Sequence, residues 1–164
     1  MTKPVTVMIY DMKPFLQSCV DRYVQLAGRD AKPLAHASTP FHDERIARPV
    51  ADEAEKKGVL APIAARVLMK ILFAARMARF DLLRALQGLA ARVTKWSSDC
   101  DKALQRIVCY IHSTVDVRFK AFIGDSLSKR KLWCFADADH AGEHDKRSTT
   151  GSFLVLIGPN TYRS

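Results

Sequence analysis

Residues Leu132 to Gly158 read LWCFADADHAGEHDKRSTTGSFLVLIG. The stretch opens as a buried strand should, with Leu132, Trp133, Cys134 and Phe135, and then runs into Asp137 and Asp139. Two neighbouring carboxylates on an apolar strand are costly unless a cation compensates them. Beyond them GEHDKR reads as a charged turn and SFLVLIG as a further apolar strand. Upstream, VDVRFKAF alternates Val115, Val117 and Phe119 with Asp116, Arg118 and Lys120, a half-buried strand. The C-terminal third is therefore expected to form an antiparallel β-meander.

Ahead of that third the hydrophobic period is 3.6 rather than 2. PFLQSCVDRYVQLAG places Phe15, Cys19, Val20, Tyr23, Val24 and Leu26 near helical spacing and stops at Gly28. Residues 29–58 hold three prolines and little periodicity, the pattern of a surface linker. APIAARVLMKILFAARMARFDLLRALQGLAARVTKW is rich in helix formers but long for one helix. A break is expected between Ala78 and Asp81, with Asp81 capping a second helix. SSDCDKALQRIVCYIHST predicts a further helix, with Ser98 and Asp101 in capping-box spacing and Leu104, Ile107, Val108 and Ile111 as its buried stripe. The expected class is α+β: residues 1–58 a helix and irregular linker, 59–114 a basic helical segment, 115–164 the meander.

With 164 residues, 48% hydrophobic and 26% charged, the composition is that of a globular protein. No apolar run reaches the roughly 18 residues a membrane span needs, and the N-terminus lacks a long apolar leader. Four cysteines without a CxxC pair point to reduced thiols in an intracellular protein, cytoplasmic or nuclear. The net charge is +9, and from Lys56 to Lys95 nine cations face a single acid, Asp81. A localised basic face is the footprint of a polyanion binder, although a basic helix also serves as a solvated face. Arg66, Lys70, Arg76, Arg79, Arg84, Arg92 and Lys95 are the candidate contacts to an RNA–DNA hybrid or another nucleic acid, with no membrane partner expected. The competing class is a non-enzymatic helical module that binds protein.

FADADHAGEHDKRSTTGSFLVLIG resembles the start of the ribonuclease H domain in copia-type retrotransposon Pol polyproteins. That family writes an apolar strand, an Asp-Ala-Asp/Ser core with Ala-Gly, a charged turn, Lys/Arg-Ser-Thr, then Gly and an apolar strand. Upstream, Arg79-Phe80-Asp81 and Tyr110-Ile111-His112-Ser113-Thr114 look like landmarks of the segment joining reverse transcriptase to ribonuclease H. There the family has Arg-Pro-Asp and a Tyr-Leu-x-x-Thr turn, so Phe80, His112 and Ser113 are departures. The resemblance spans Leu60 to Gly158 and implies an incomplete ribonuclease H-like fold. It implies that Asp137 is catalytic and helps hold two Mg²⁺ ions, hard cations suited to carboxylates. Asp139 either shares that face as a second metal ligand or caps a turn. The family's second acid and its paired polymerase aspartates have no counterpart in the sequence given; IYDM at residues 9–12 carries one acid. The expectation is a catalytically incomplete piece of Pol that holds Mg²⁺ poorly, binds nucleic acid without sequence preference, and associates with longer Pol copies.

The remaining candidate sites have plainer readings. His140 and His144 with Cys134 have zinc-ligand chemistry, but they flank a predicted turn where solvated histidines are expected. Cys109 and His112 have nucleophile-pair spacing, yet Cys109 falls beside the apolar stripe as a buried thiol. Trp96 beside Arg92 and Lys95 could stack on a base or close a core. Ser148, Thr149 and Thr150 suit phosphate contact or the start of a strand. A meander left with an open apolar edge is also expected to be prone to association.

Overall fold

The computed structural model describes residues 4–28, 31–41, 56–139 and 149–164. Its elements are β1 (Thr6–Tyr10), α1 (Lys13–Ala27), α2 (Ala61–Met77), α3 (Leu83–Ala90), α4 (Ser98–Ser113), β2 (Phe119–Ile123), β3 (Lys131–Asp139), β4 (Thr149–Gly158) and β5 (Thr161–Arg163). The class is α+β, as expected. The chain divides into a helical unit, Tyr10–Phe119, and a sheet unit, Met1–Ile9 with Lys120–Ser164. The N-terminal segment is thus not separate from the basic helices: α1 contributes Leu16, Cys19, Val20 and Tyr23 to the same core as α2 and α4.

Sequence dictates most of the helical unit. Pro14 stands in the first turn of α1, where a missing N–H is tolerated, and Gly28 ends the helix at φ 55°, a conformation glycine adopts at little cost. In α2 the small Ala64 at one end and Ala74 and Ala75 at the other flank the larger Val67, Leu68 and Ile71 along the buried face. The expected break is present: Ala78 leaves the helix at φ −159°, and a 3-10 turn over Phe80–Leu82 leads into α3. Asp81 does not cap that helix by a side-chain hydrogen bond; it is drawn instead to Arg79 at 2.8 Å. Asp101 departs from its capping-box reading in the same way. Its carboxylate accepts from the Val59 and Leu60 amides and from Trp96 Nε1 at 2.6 Å. A local cap thereby becomes a tie across some 40 residues of chain.

The sheet unit differs more from expectation. The strand expected from Val115 begins at Phe119, because the chain is still turning out of α4: Val117 N–H donates to Thr114 C=O at 3.0 Å. It also pairs with β5 rather than with β3, so the meander runs β3–β4–β5 and β2 stands outside it, a correction to the expected order. The alternating charges of this turn are used within the helical unit, Asp116 with Lys13 at 2.7 Å and Arg118 with Asp11 at 2.9 Å. Strand order is β1-β2-β5-β4-β3, with β2–β5, β5–β4 and β4–β3 antiparallel. Neither β1 nor β5 is expected from sequence; each is short. Asp125 binds the β4–β5 turn, accepting from Asn160 N at 2.6 Å and Thr161 Oγ1 at 2.8 Å. Burial pushes its carboxyl up, but the hydrogen bonds from Asn160 and Thr161 outweigh this and hold it below its ordinary value.

β3 and β4 pair along nine residues, from Lys131 opposite Ile157 to Asp139 opposite Thr149. The backbone is therefore still strand at Asp139, which corrects the expectation of a turn there. A second correction concerns burial. Leu132 is 69% exposed, Phe135 54% and Trp133 48%, so this apolar strand is not in a core.

Candidate nucleic-acid interface

The basic residues singled out by sequence do not share one face. Arg79 is the clearest correction: it is 1% exposed and belongs to the core of the helical unit. Its Nε and Nη2 donate to Asp81, and its Nη1 and Nη2 donate to the backbone and hydroxyl oxygens of Thr114, at 2.8–3.2 Å. Tyr110 closes the knot, its hydroxyl donating to Asp81 Oδ2 at 2.9 Å and its ring lying 5.6 Å from the guanidinium carbon. Burial raises the Asp81 carboxyl, but the Arg79 hydrogen bonds and charge prevail, and Asp81 titrates below its ordinary value. Burial and the same carboxylate push the Tyr110 hydroxyl up. Buried to 1% and with four of its five N–H groups committed, Arg79 is out of reach of a phosphate.

Lys70 is half-committed as well. Its ammonium donates to Ser18 C=O at 2.9 Å and lies 5.8 Å from the Phe15 ring centroid, tying α2 to α1. Arg66 and Arg76 are exposed on the outer face of α2, and Arg84 is exposed on α3. Arg92 is exposed and donates to Ser97 Oγ at 3.1 Å.

Lys95 stands among other cations. It lines a cleft of about 370 Å³ together with Lys56 and Lys57, over a floor that includes Trp96 and Ser97. All three lysines are exposed. They come from segments some 40 residues apart, joined because Lys57 and Ser97 form an antiparallel bridge. Gly58 N donates to Trp96 C=O and Ser98 N to Lys56 C=O in the same crossing. Gly58 is required there: a Cβ would stand 2.5 Å from Ser97 O and 2.6 Å from Trp96 Cδ1. Three ammonium groups and no carboxylate line the cleft among the described residues. Like charges so gathered repel one another and favour a polyanion. Lys56 and Lys57 were visible in the charge run, but without the bridge nothing singled them out.

Trp96 is 5% exposed and donates its indole N–H to Asp101, so it is core rather than a stacking platform. Cys109 is buried beside Gln105, as read from sequence. Burial pushes the Cys19 thiol up to about 11 and the Tyr23 hydroxyl up to about 12. His140, His144 and Ser148 lie outside the described residues, as does most of the expected linker.

Asp137 sits in the sheet unit, exposed and opposite Gly151, which brings no side chain to it. Among the described residues no group of three or more His, Cys, Asp or Glu side chains could hold a metal ion. Asp139 ends the same strand, two residues on and opposite Thr149. Asp137, the described carboxylate side chain of the pair, does not by itself fit the two-cation chemistry that the resemblance implies, and no hydrolytic step follows from it. No described helix is long and apolar enough to cross a membrane. No family model matches the chain, and no curated protein or solved structure matches it either.

Proposed function

We propose that the chain is a piece of a copia-type Pol polyprotein, from the tail of the reverse transcriptase into the start of ribonuclease H, and that its helical unit grips the phosphate backbone of an RNA–DNA hybrid. The observation that carries the binding reading is the convergence of Lys56, Lys57 and Lys95 on one cleft with no acid in its described lining. Ammonium groups act as point charges on phosphate and read no bases, so the binding is independent of sequence. Two observations support the family reading. The landmark segments Arg79-Phe80-Asp81 and Tyr110–Thr114, 29 residues apart from Asp81 to Tyr110, close on each other in one hydrogen-bonded knot. The β3–β4–β5 meander, with Asp137 late in its first strand, follows the order the resemblance implies.

The test is hybrid binding by the whole chain across a salt series. Lys57→Ala with Lys95→Ala should weaken binding about tenfold at low salt and flatten the salt slope by about 2. Unchanged affinity in the double variant, or binding indifferent to about 0.5 M salt, overturns the proposal. A second reading, a protein-binding helical module, is favoured by one observation: Met69, Phe73 and Met77 are 45–55% exposed along the outer face of α2. A parent chain that binds no hybrid even at low salt, and whose association with protein is lost in Phe73→Ser, selects that reading.

A further inference from the structure

β3 is an edge strand with one strand neighbour, β4, among the described residues. Its nine residues, KLWCFADAD, leave the outer row of backbone N–H and C=O groups without a strand to pair with. Every residue from Lys131 to Ala138 is exposed. Native edges of this kind are normally blunted by charge, proline or a bulge; this one carries a lysine at one end, acids at the other and an apolar middle.

We propose that β3 pairs antiparallel with β3 of a second copy about a two-fold axis centred on Cys134. The strand is complementary to its own reverse in that register. On one side of the strand Lys131 stands opposite Asp137 of the second copy, and Trp133 opposite Phe135, with both relations repeated by symmetry. The Trp133 and Phe135 rings already stack within one chain, 6.4 Å between centroids and 15° between planes, so the pairing builds a four-ring strip flanked by two ion pairs. On the other side large meets small, Leu132 opposite Ala136, and Cys134 meets its own copy. Other registers are poorer: centring on Phe135 sets Trp133 against Asp137 and leaves an aromatic ring facing a carboxylate. Joining the edges makes one sheet across two chains and satisfies the open row of backbone groups. It also gives the strand-end carboxylate the cation that an apolar strand demands. The inference uses none of the lysines of the nucleic-acid reading, while it shares β3 and Asp137 with the family reading.

The experiment is sedimentation equilibrium of the full chain with charge exchange. The parent chain should form a dimer; Lys131→Asp and Asp137→Lys singly should each weaken it about tenfold or more. The double variant, Lys131→Asp with Asp137→Lys, should recover the dimer, since each chain again meets its opposite. Both positions are exposed, and far-ultraviolet circular dichroism of each variant checks that the fold is kept. A short bis-maleimide should link two chains through Cys134, because Cys19, Cys100 and Cys109 are buried; the link should vanish in Cys134→Ser. A monomer at every concentration, open-ended oligomers, or a dimer indifferent to both single reversals overturns the proposal. Failure of the double variant to recover overturns the register.

Discussion

At the scale of single residues, Arg79 is the residue whose charge most misleads. It lies in the middle of a basic run, and its helix-flanking position reads as a phosphate contact. The fold commits its donors to Asp81 and Thr114 instead. A buried guanidinium is tolerable when every face meets an acceptor or a ring, and here Tyr110 supplies the ring. Arg79→Met should cost about 2–3 kcal/mol, less than severing a fully buried pair because the Asp81 side chain keeps 37% exposure. Asp81→Ala should cost more than Arg79→Met, since it strands a buried cation rather than a half-exposed anion; urea titrations of the two variants check the order. The pH dependence follows from the same pair. Asp81 is held below its ordinary value of 3.8, so its stabilisation is present above that value and is lost as pH falls through the lower folded one. Acid unfolding below pH 3.8 should therefore be shallower in Asp81→Asn than in the parent.

Elements depend on crossings that sequence periodicity does not encode. The four described helices were legible because each buries a stripe at 3.6-residue spacing, and α1 and α2 carry a proline in the first turn, where it fits. The bridge between Lys57 and Ser97 was not legible, since it joins two segments of no regular structure. Its one visible signal was Gly58, ahead of a helix rather than behind one. Gly58→Ala should lower stability by about 2 kcal/mol, because backbone and indole leave no room for a methyl group. The same variant should disturb the three-lysine cleft and weaken hybrid binding; thermal unfolding followed by circular dichroism reads the first effect. Parent-like stability in the Gly58→Ala variant would mean the crossing is looser than described. β1 was missed for a related reason: five residues with half-exposed burial acquire a strand's character from β2, over a hundred residues later.

For the molecule as a whole, the division of apolar burial is the main property. The helical unit holds the described hydrophobic core, including Leu16, Tyr23, Ile71, Leu86 and Leu104, each 1% exposed or less. In the sheet unit the buried apolar residues among those described are Ala121 and Val155. Local stability follows buried apolar contact, so native-state hydrogen exchange should be slower in α2 and α4 than in β3 by roughly a thousandfold when the chain is monomeric. Equal protection would contradict that division. Sequence alone determined the helices and the two apolar strands that flank the charged stretch after Asp139, because periodicity and turn residues are local facts; the place of β2 beside β5 rather than β3 was not legible. Sequence also determined the charge excess, though not its use. Only tertiary structure decided that Arg79 is a core residue, that Lys95 belongs with Lys56 and Lys57, and that β3 is the apolar strand at the sheet's edge among the described residues. Each of these depends on which distant segments meet, and hydrophobic pattern specifies that a face is to be buried without naming what will cover it.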